Sequence, residues 1–213
     1  MDTESELILA EKAKYERMWQ HEDYRQFSPG LHALEHLNLV GCFRKIGVRS
    51  ILDAGCGSGK FMRRIIEQHA DDFTIRGFDI AANCLDPWFA DRPPEMLTTG
   101  CLWDPAALPR PNDAVVCTDV MEHIPTDKVP AVLANLRAAA TRAVFLGIAL
   151  FPDRFGPKVL GRPLHLTVQS PEWWRDQIAA VGLAPVSSVV QKHQSGQPMW
   201  LFHLARPLPS ENR

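Results

Sequence analysis

Between residues 50 and 150, short apolar runs alternate with stretches whose apolar positions recur at helical spacing. SILDAG (50–55), FTIRGFD (73–79), a weaker EMLTTG (95–100), DAVVCTD (113–119) and RAVFLGIAL (142–150) read as strands. KFMRRIIEQHA (60–70), AANCLDPWF (81–89) and DKVPAVLANLRAAA (127–140) read as the helices between them. Ahead of this block, residues 3–20 predict a helix with Ile8, Tyr15, Met18 and Trp19 on one face. After a break at Ser28-Pro29-Gly30, a second helix is expected over 31–46. A proline- and glycine-rich loop spans 151–164. The chain then predicts a helix over 171–182, strands near 184–191 and 197–204, and a loose tail, RPLPSENR.

Strand–helix alternation of this kind calls for a parallel sheet with helices on both faces. The last two strands are separated by too few residues for a helical crossover, so they pair antiparallel. No repeat or low-complexity linker marks a second core. The expected organisation is a helical lid over 1–46, a binding domain over 47–206 and a tail over 207–213.

Composition narrows the function classes. Hydrophobic residues make up 46% and charged residues 23% of 213, an ordinary globular balance. A net charge of −2 argues against coating nucleic acid or an anionic membrane. No apolar run approaches the ~20 residues of a membrane span, and the acidic start MDTESELILAEK does not read as a signal peptide. Five cysteines without a CxxC pair suit free thiols in a reducing, cytoplasmic setting.

The sharpest local pattern is Ile51-Leu52-Asp53-Ala54-Gly55-Cys56-Gly57-Ser58-Gly59-Lys60-Phe61. A buried strand runs into glycines and then a helix, so a ligand can lie against bare backbone. The spacing is GxGxG; a dinucleotide fingerprint would put its third glycine at position 60, which is lysine. Asp53 before the turn repels a pyrophosphate and attracts an amino acid's ammonium group. The next strand ends in Gly77-Phe78-Asp79, where an acid can accept both hydroxyls of a ribose.

With these residues the chain resembles the class I S-adenosylmethionine-dependent methyltransferases: DAGCGSG matches their first motif, GFDI their second and NDAVVCTDVMEHIP their fourth. The resemblance implies an α/β, Rossmann-like, seven-stranded, mostly parallel sheet with the last strand antiparallel. It implies S-adenosyl-L-methionine as cofactor, with contacts at Asp53, Gly55, Cys56, Gly57, Gly59, Asp79, Ile80, Leu102, Trp103 and Thr118. Relatives often carry an acid for the adenine amino group where this chain has Cys101, which leaves backbone amides and stacking on Trp103. They often carry an N-terminal lid as well, here with Tyr15, Trp19 and Tyr24, although amphipathic packing accounts for those three rings too.

On the acceptor side, Asp119-Val120-Met121-Glu122-His123 follows the fourth strand, at the sheet end where ligands gather. It resembles the ExxEH of ubiquinone-biosynthesis O-methyltransferases and small-RNA 2′-O-methyltransferases, with Asp119 replacing the first glutamate. Asp119, Glu122 and His123 are a candidate site for Mg²⁺, Mn²⁺ or Zn²⁺, sharing one face of a short helix; packing and capping are the alternative. His123 and His165 are the candidate catalytic bases, and a strand histidine satisfied by backbone is the other reading of His165. Arg154, Lys158 and Arg162 offer either a seat for an anionic acceptor or a solvated surface. Of Trp173 and Trp174, about 100° apart on a helix, at most one is core. His32 and His36 have metal-ligand spacing but only Glu35 nearby, and read as lid or surface.

The reading that results is O-methylation of a small hydroxylated metabolite such as a sugar or glycan precursor. An RNA 2′-O-methyltransferase is the alternative within the class, disfavoured by the absence of a basic stripe or RNA-binding motif. A non-catalytic cofactor-binding scaffold is the alternative outside it; a pocket filled by the 151–164 loop would support that reading.

Overall fold

The structure is a computed structural model that describes residues 3–26 and 28–209. Positions 1, 2 and 27 of the expected lid and 210–213 of the expected tail lie outside the described residues. Seven strands form one sheet in the order β3-β2-β1-β4-β5-β7-β6. They are β1 (Ser50–Ala54), β2 (Thr74–Asp79), β3 (Leu97–Thr99), β4 (Asn112–Thr118), β5 (Ala140–Ala149), β6 (Leu183–Lys192) and β7 (Pro198–Pro207). β1 pairs parallel with both β2 and β4, and β4 parallel with β5. β7 runs antiparallel between β5 and β6, as the short connection requires.

Alternation along each strand sorts side chains onto two faces. Leu52, Val115, Cys117, Val144 and Leu146 point into one core, which α6 (Val129–Ala139) and α8 (Pro171–Ala180) cover. Ile51, Ala114, Val116, Ala143 and Phe145 point into the other, beneath α3 (Pro29–His36), α4 (Leu39–Lys45) and α5 (Lys60–His69). Pro171 and Ser170, whose hydroxyl accepts the Trp173 N–H at 3.2 Å, start α8. Two further helices, α1 (Thr3–Met18) and α2 (Glu22–Arg25), lie over the carboxyl end of the sheet.

Local chemistry separates the fold from the sequence reading in four places. The helix expected over 31–46 is two helices, because Asn38 adopts a left-handed φ of 49° and caps α4 by accepting the Gly41 N–H. The helix expected over 81–89 shrinks to one 3₁₀ turn, Pro87–Phe89. Pro87 disfavours helical backbone at Asp86, and the carbonyls of Asn83, Cys84 and Leu85 accept from the Arg25 guanidinium instead of from a helix. The 151–164 loop contains a helix, α7 (Phe155–Leu160), closed by Gly161 at φ 69°. The tail is held at its start: β7 runs to Pro207, and Leu208 bonds the Gly182 carbonyl and the Arg137 side chain.

Trp174 is fully buried while Trp173 is half-buried, so the tryptophan pair divides between core and surface. Trp174→Ala should lower unfolding free energy by about 3–5 kcal/mol in urea titration, with Trp173→Ala costing clearly less. Equal losses would refute this division.

Candidate active site

The turn after β1 brings the chain back beneath the lid. Gly55 and Gly57 have φ of 83° and 52°, and a Cβ on them would sit 2.2 Å from Val120 and 2.6 Å from Trp19 respectively. Only glycine meets both demands. Around the turn lies a cleft with two lobes. The larger, about 320 Å³, is walled by Asp53, Gly55, Cys56, Gly57, Ser58 and Thr118 below, and by Trp19, Tyr24 and Phe155 above. The smaller, about 90 Å³, is walled by Asp79, Ile80, Cys101, Leu102 and Trp103. Trp19, Tyr24, Gly55, Asp119 and His123 border both.

All but one of the turn, ribose-side and adenine-side residues singled out from the sequence wall this cleft. Gly59 lies outside both lobes; its close neighbours are Phe89 and Leu85. Asp79 accepts the Gly57 N–H at 3.0 Å and the Ala81 N–H at 2.9 Å, which ties the turn to β2. Burial pushes its carboxyl up to about 6 despite those bonds. Burial first, and the charge of Asp79 second, push Asp53 up to about 8. No cation among the described residues pairs with Asp53. The floor of the larger lobe is therefore a desolvated acid lacking a counter-charge.

The acceptor-side residues converge on one wall. Asp119, at the end of β4, takes a left-handed φ of 59°, donates its N–H to the Gly147 carbonyl at 2.8 Å, and turns the chain inward. Only Glu122 and His123 share the 3₁₀ turn that follows, Met121–His123; the shared helical face expected for all three does not form. The Glu122 carbonyl accepts the N–H groups of Leu166 and Thr167 at 2.7 and 2.9 Å, which pins His165 beside His123. Their rings stand edge-on with centroids 4.7 Å apart.

Donor atoms of Asp119, Glu122, His123 and His165 all lie within 4.8 Å of one another. Sequence reasoning had chosen His165 as a base; its place among the donors comes from the tertiary pinning. Glu122 is wholly buried, with Oε1 accepting the Ala149 N–H at 2.8 Å and its carboxyl in side-chain contact with that of Asp119. Burial and mutual repulsion push its carboxyl up, and burial does the same at Asp119. Burial pushes His123 well below the usual imidazole range, so it is neutral, and its Nδ1 has no partner among the described residues. His165 Nδ1 lies 2.6 Å from the Phe151 carbonyl oxygen. A carbonyl only accepts, so Nδ1 carries the proton and Nε2 keeps its lone pair.

The 151–164 segment walls the larger lobe with Phe151, Asp153, Arg154, Phe155 and Leu164 and leaves it open. Asp153 knots the segment by accepting the N–H groups of Gly156, Leu164 and His165. Lys158 and Arg162 are exposed and wall neither lobe, so two of the three cations expected for an anionic acceptor are surface groups. Asp23 joins Asp53, Asp119 and Asp153 in the wall. His32 and His36 face each other at 4.5 Å against Phe202, away from the cleft. Sequence reasoning missed Asp23, Phe151 and Phe155, which carry no local pattern, and Arg25, whose latch depends on the non-helical loop.

A family model described as a methyltransferase domain matches residues 17–184. The chain belongs to the methyltransferase-domain family. No curated protein matches it. Among solved structures it is similar to magnesium protoporphyrin IX methyltransferase from Synechocystis PCC 6803 with bound SAM, at 16% identity and TM-score 0.61, over 84% of this chain and 79% of that one. It is also similar to a TehB-like SAM-dependent methyltransferase from Corynebacterium glutamicum (19%, TM-score 0.60, 93% and 99%). The methyltransferase domain of a bacterial CtHen1 is a third (16%, TM-score 0.62, 83% and 99%). This methyltransferase is S-adenosylmethionine-dependent, and no described helix is long and apolar enough to cross a membrane.

A cationic ligand filling the larger lobe draws Asp53 into its ionised form. The affinity for S-adenosylhomocysteine, which carries an ammonium, should therefore rise with pH up to about 8, and binding at neutral pH should release protons. Calorimetry in two buffers of different ionisation enthalpy measures that release. Asp53→Asn should lose it along with about 2–5 kcal/mol of binding; a wild-type affinity in this variant would exclude Asp53 as the counter-charge.

Proposed function

We propose that this methyltransferase methylates a hydroxyl group of a small, uncharged, polyhydroxylated acceptor such as a sugar or glycan precursor. The observation that carries the reading is the four-donor cluster of Asp119, Glu122, His123 and His165, of which all but the fully buried Glu122 wall the larger lobe. A hydroxyl is a poor nucleophile until its proton is removed, and this cluster supplies groups that can take one. The cofactor's amino-acid end is assigned to the larger lobe at Asp53, its ribose to Asp79, and its adenine to the smaller lobe between Ile80 and Leu102–Trp103. Thr118 and the turn backbone complete that assignment.

The cluster also suits a divalent ion. The carboxylates of Asp119 and Glu122 with the His123 imidazole are a mixed oxygen–nitrogen set acceptable to Mg²⁺, Mn²⁺ or Zn²⁺. His123 Nδ1 is a buried polar atom with no partner among the described residues, which is what an absent ligand leaves behind. When bound, such an ion lowers the pKa of an acceptor hydroxyl. The protein's own contribution is positional: Asp119, Glu122 and His123 would hold the ion, and Phe151 fixes the His165 tautomer so that its Nε2 is left as the proton acceptor. Trp19, Tyr24 and Phe155 exclude water from above.

The acid-rich wall favours a neutral acceptor over an anionic one. Among the described residues Arg154 is the only lysine or arginine of that wall, and beside Asp53, assigned to the cofactor's ammonium, it faces Asp23, Asp119 and Asp153. The wall offers a phosphodiester chain no row of cations, which speaks for a small metabolite rather than RNA. The DxxEH segment is consistent with the O-methyltransferase grouping.

Methyl-labelled S-adenosylmethionine with a panel of neutral polyols, phosphorylated sugars and amines tests the acceptor. Transfer is expected to polyols, to be lost with chelator and to return with Mg²⁺ or Mn²⁺. His165→Ala should lower turnover by about 10²–10⁴-fold while leaving S-adenosylhomocysteine affinity unchanged. Transfer to amines alone, or chelator-resistant turnover that survives His165→Ala, would overturn the reading.

A further inference from the structure

A second donor cluster lies directly beneath the glycine turn. Cys56 belongs to the turn, Asp79 ends β2, and Cys84 sits in the loop that Arg25 latches. One donor atom from each lies within 4.8 Å of the others, and all three residues are buried. The two thiols are within hydrogen-bonding reach of each other. The surroundings are close-packed: a Cβ on Gly77 would come within 2.7 Å of both Cys56 Sγ and Met62 Sδ. Arg25 bonds the carbonyls of Asn83, Cys84 and Leu85 from outside, which holds Cys84 in place. Cys56 walls the larger lobe and Asp79 the smaller, so the cleft itself is a route in.

The donor set differs in kind from the histidine–carboxylate wall. Two sulfurs and one carboxylate favour a soft, tetrahedral d¹⁰ cation, with a fourth position left for water from the cleft. The residues that would hold it are also residues of the cofactor cleft. The Gly57 N–H to Asp79 bond sets the turn against β2, and Cys56 lies between the two glycines that line the lobe. A cation drawing Cys56 and Asp79 onto itself changes the turn and takes up the Asp79 carboxylate together.

We propose that Cys56, Cys84 and Asp79 form a binding site for a thiophilic divalent cation, with Zn²⁺ as the physiological candidate, and that its occupancy excludes the cofactor. Each thiol releases its proton to solvent as its sulfur–metal bond forms, so no oxidant or reductant is consumed. The site rests on the cofactor cleft described above, but its occupancy can be read with no cofactor present.

Cd²⁺ is the probe, because its bonds to thiolate absorb in the ultraviolet. Titration of the reduced protein in thiol-free buffer should give a charge-transfer band that saturates at one equivalent and is displaced by Zn²⁺. The band should vanish in Cys84→Ala and persist in Cys42→Ser, which removes a half-exposed thiol outside the cluster. In calorimetry, Cd²⁺ at ten times its own dissociation constant should weaken S-adenosylhomocysteine binding about tenfold. Cys84→Ala should bind S-adenosylhomocysteine as the parent does and lose that competition, which also shows that the variant is folded. A band that survives Cys84→Ala, no band at one equivalent, or cofactor affinity indifferent to saturating Cd²⁺ would each overturn the site.

Discussion

The constraint on which the rest of the molecule depends is the burial of two carboxyls, Asp53 and Asp79, at the carboxyl ends of neighbouring strands with no cation among the described residues to meet them. Their folded pKa values, about 8 and about 6, lie well above those of free carboxyls. The sign of the consequence is fixed. Stability associated with such groups is present below the unfolded pKa and is lost as pH rises through the folded value. The free protein thus carries an electrostatic cost at neutral pH, and a ligand bearing positive charge removes it. The site is poor for the fold alone and well matched to a sulfonium or ammonium guest.

The backbone around the acids follows from that arrangement. Asp79 is kept partly ionisable by the N–H groups of Gly57 and Ala81, so the turn must pass close to the end of β2. It must also leave room for Val120 and Trp19, which removes any side chain from positions 55 and 57. Asp119 answers the same crowding from the other side. Its left-handed backbone brings Val120 over Gly55 and sends Glu122 and His123 inward. Cofactor cleft and acceptor wall are therefore two sides of one steric contact, Gly55 against Val120.

How much of this is legible in the residue order depends on whether the cause is local. Strand β1, the glycine turn and α5 are specified within a dozen residues, by an apolar run, left-handed positions and helical spacing, and they fold as read. The acids at 53 and 79 are legible because strand ends carry fixed geometry in a parallel sheet. The 81–89 segment is not, because Arg25, nearly sixty residues away in sequence, competes for its carbonyls. The split at Asn38 is a single backbone choice inside an otherwise helical pattern. His165 is legible as a titratable residue in the right region. That it stands beside His123 follows from the Glu122 carbonyl, whose bonds to Leu166 and Thr167 leave no trace in the sequence.

The lid shows how access and closure are balanced. α1 and the residue after it meet the cleft through Glu11, Tyr15 and Trp19, but α1 also buries Lys14, ion-paired with Glu11, and a Tyr15 hydroxyl with no partner among the described residues. Burying such groups offsets much of what the aromatic contacts contribute. Closure leans instead on contacts made only in the docked position: Arg25 and Asn83 across the loop after β2, and Tyr24 against Phe155 with centroids 5.6 Å apart. The same segment is tied down further by Lys60 on the Gln26 carbonyl, Lys128 on Glu4 and Arg25 beside Asp86, over a sheet buried on both faces.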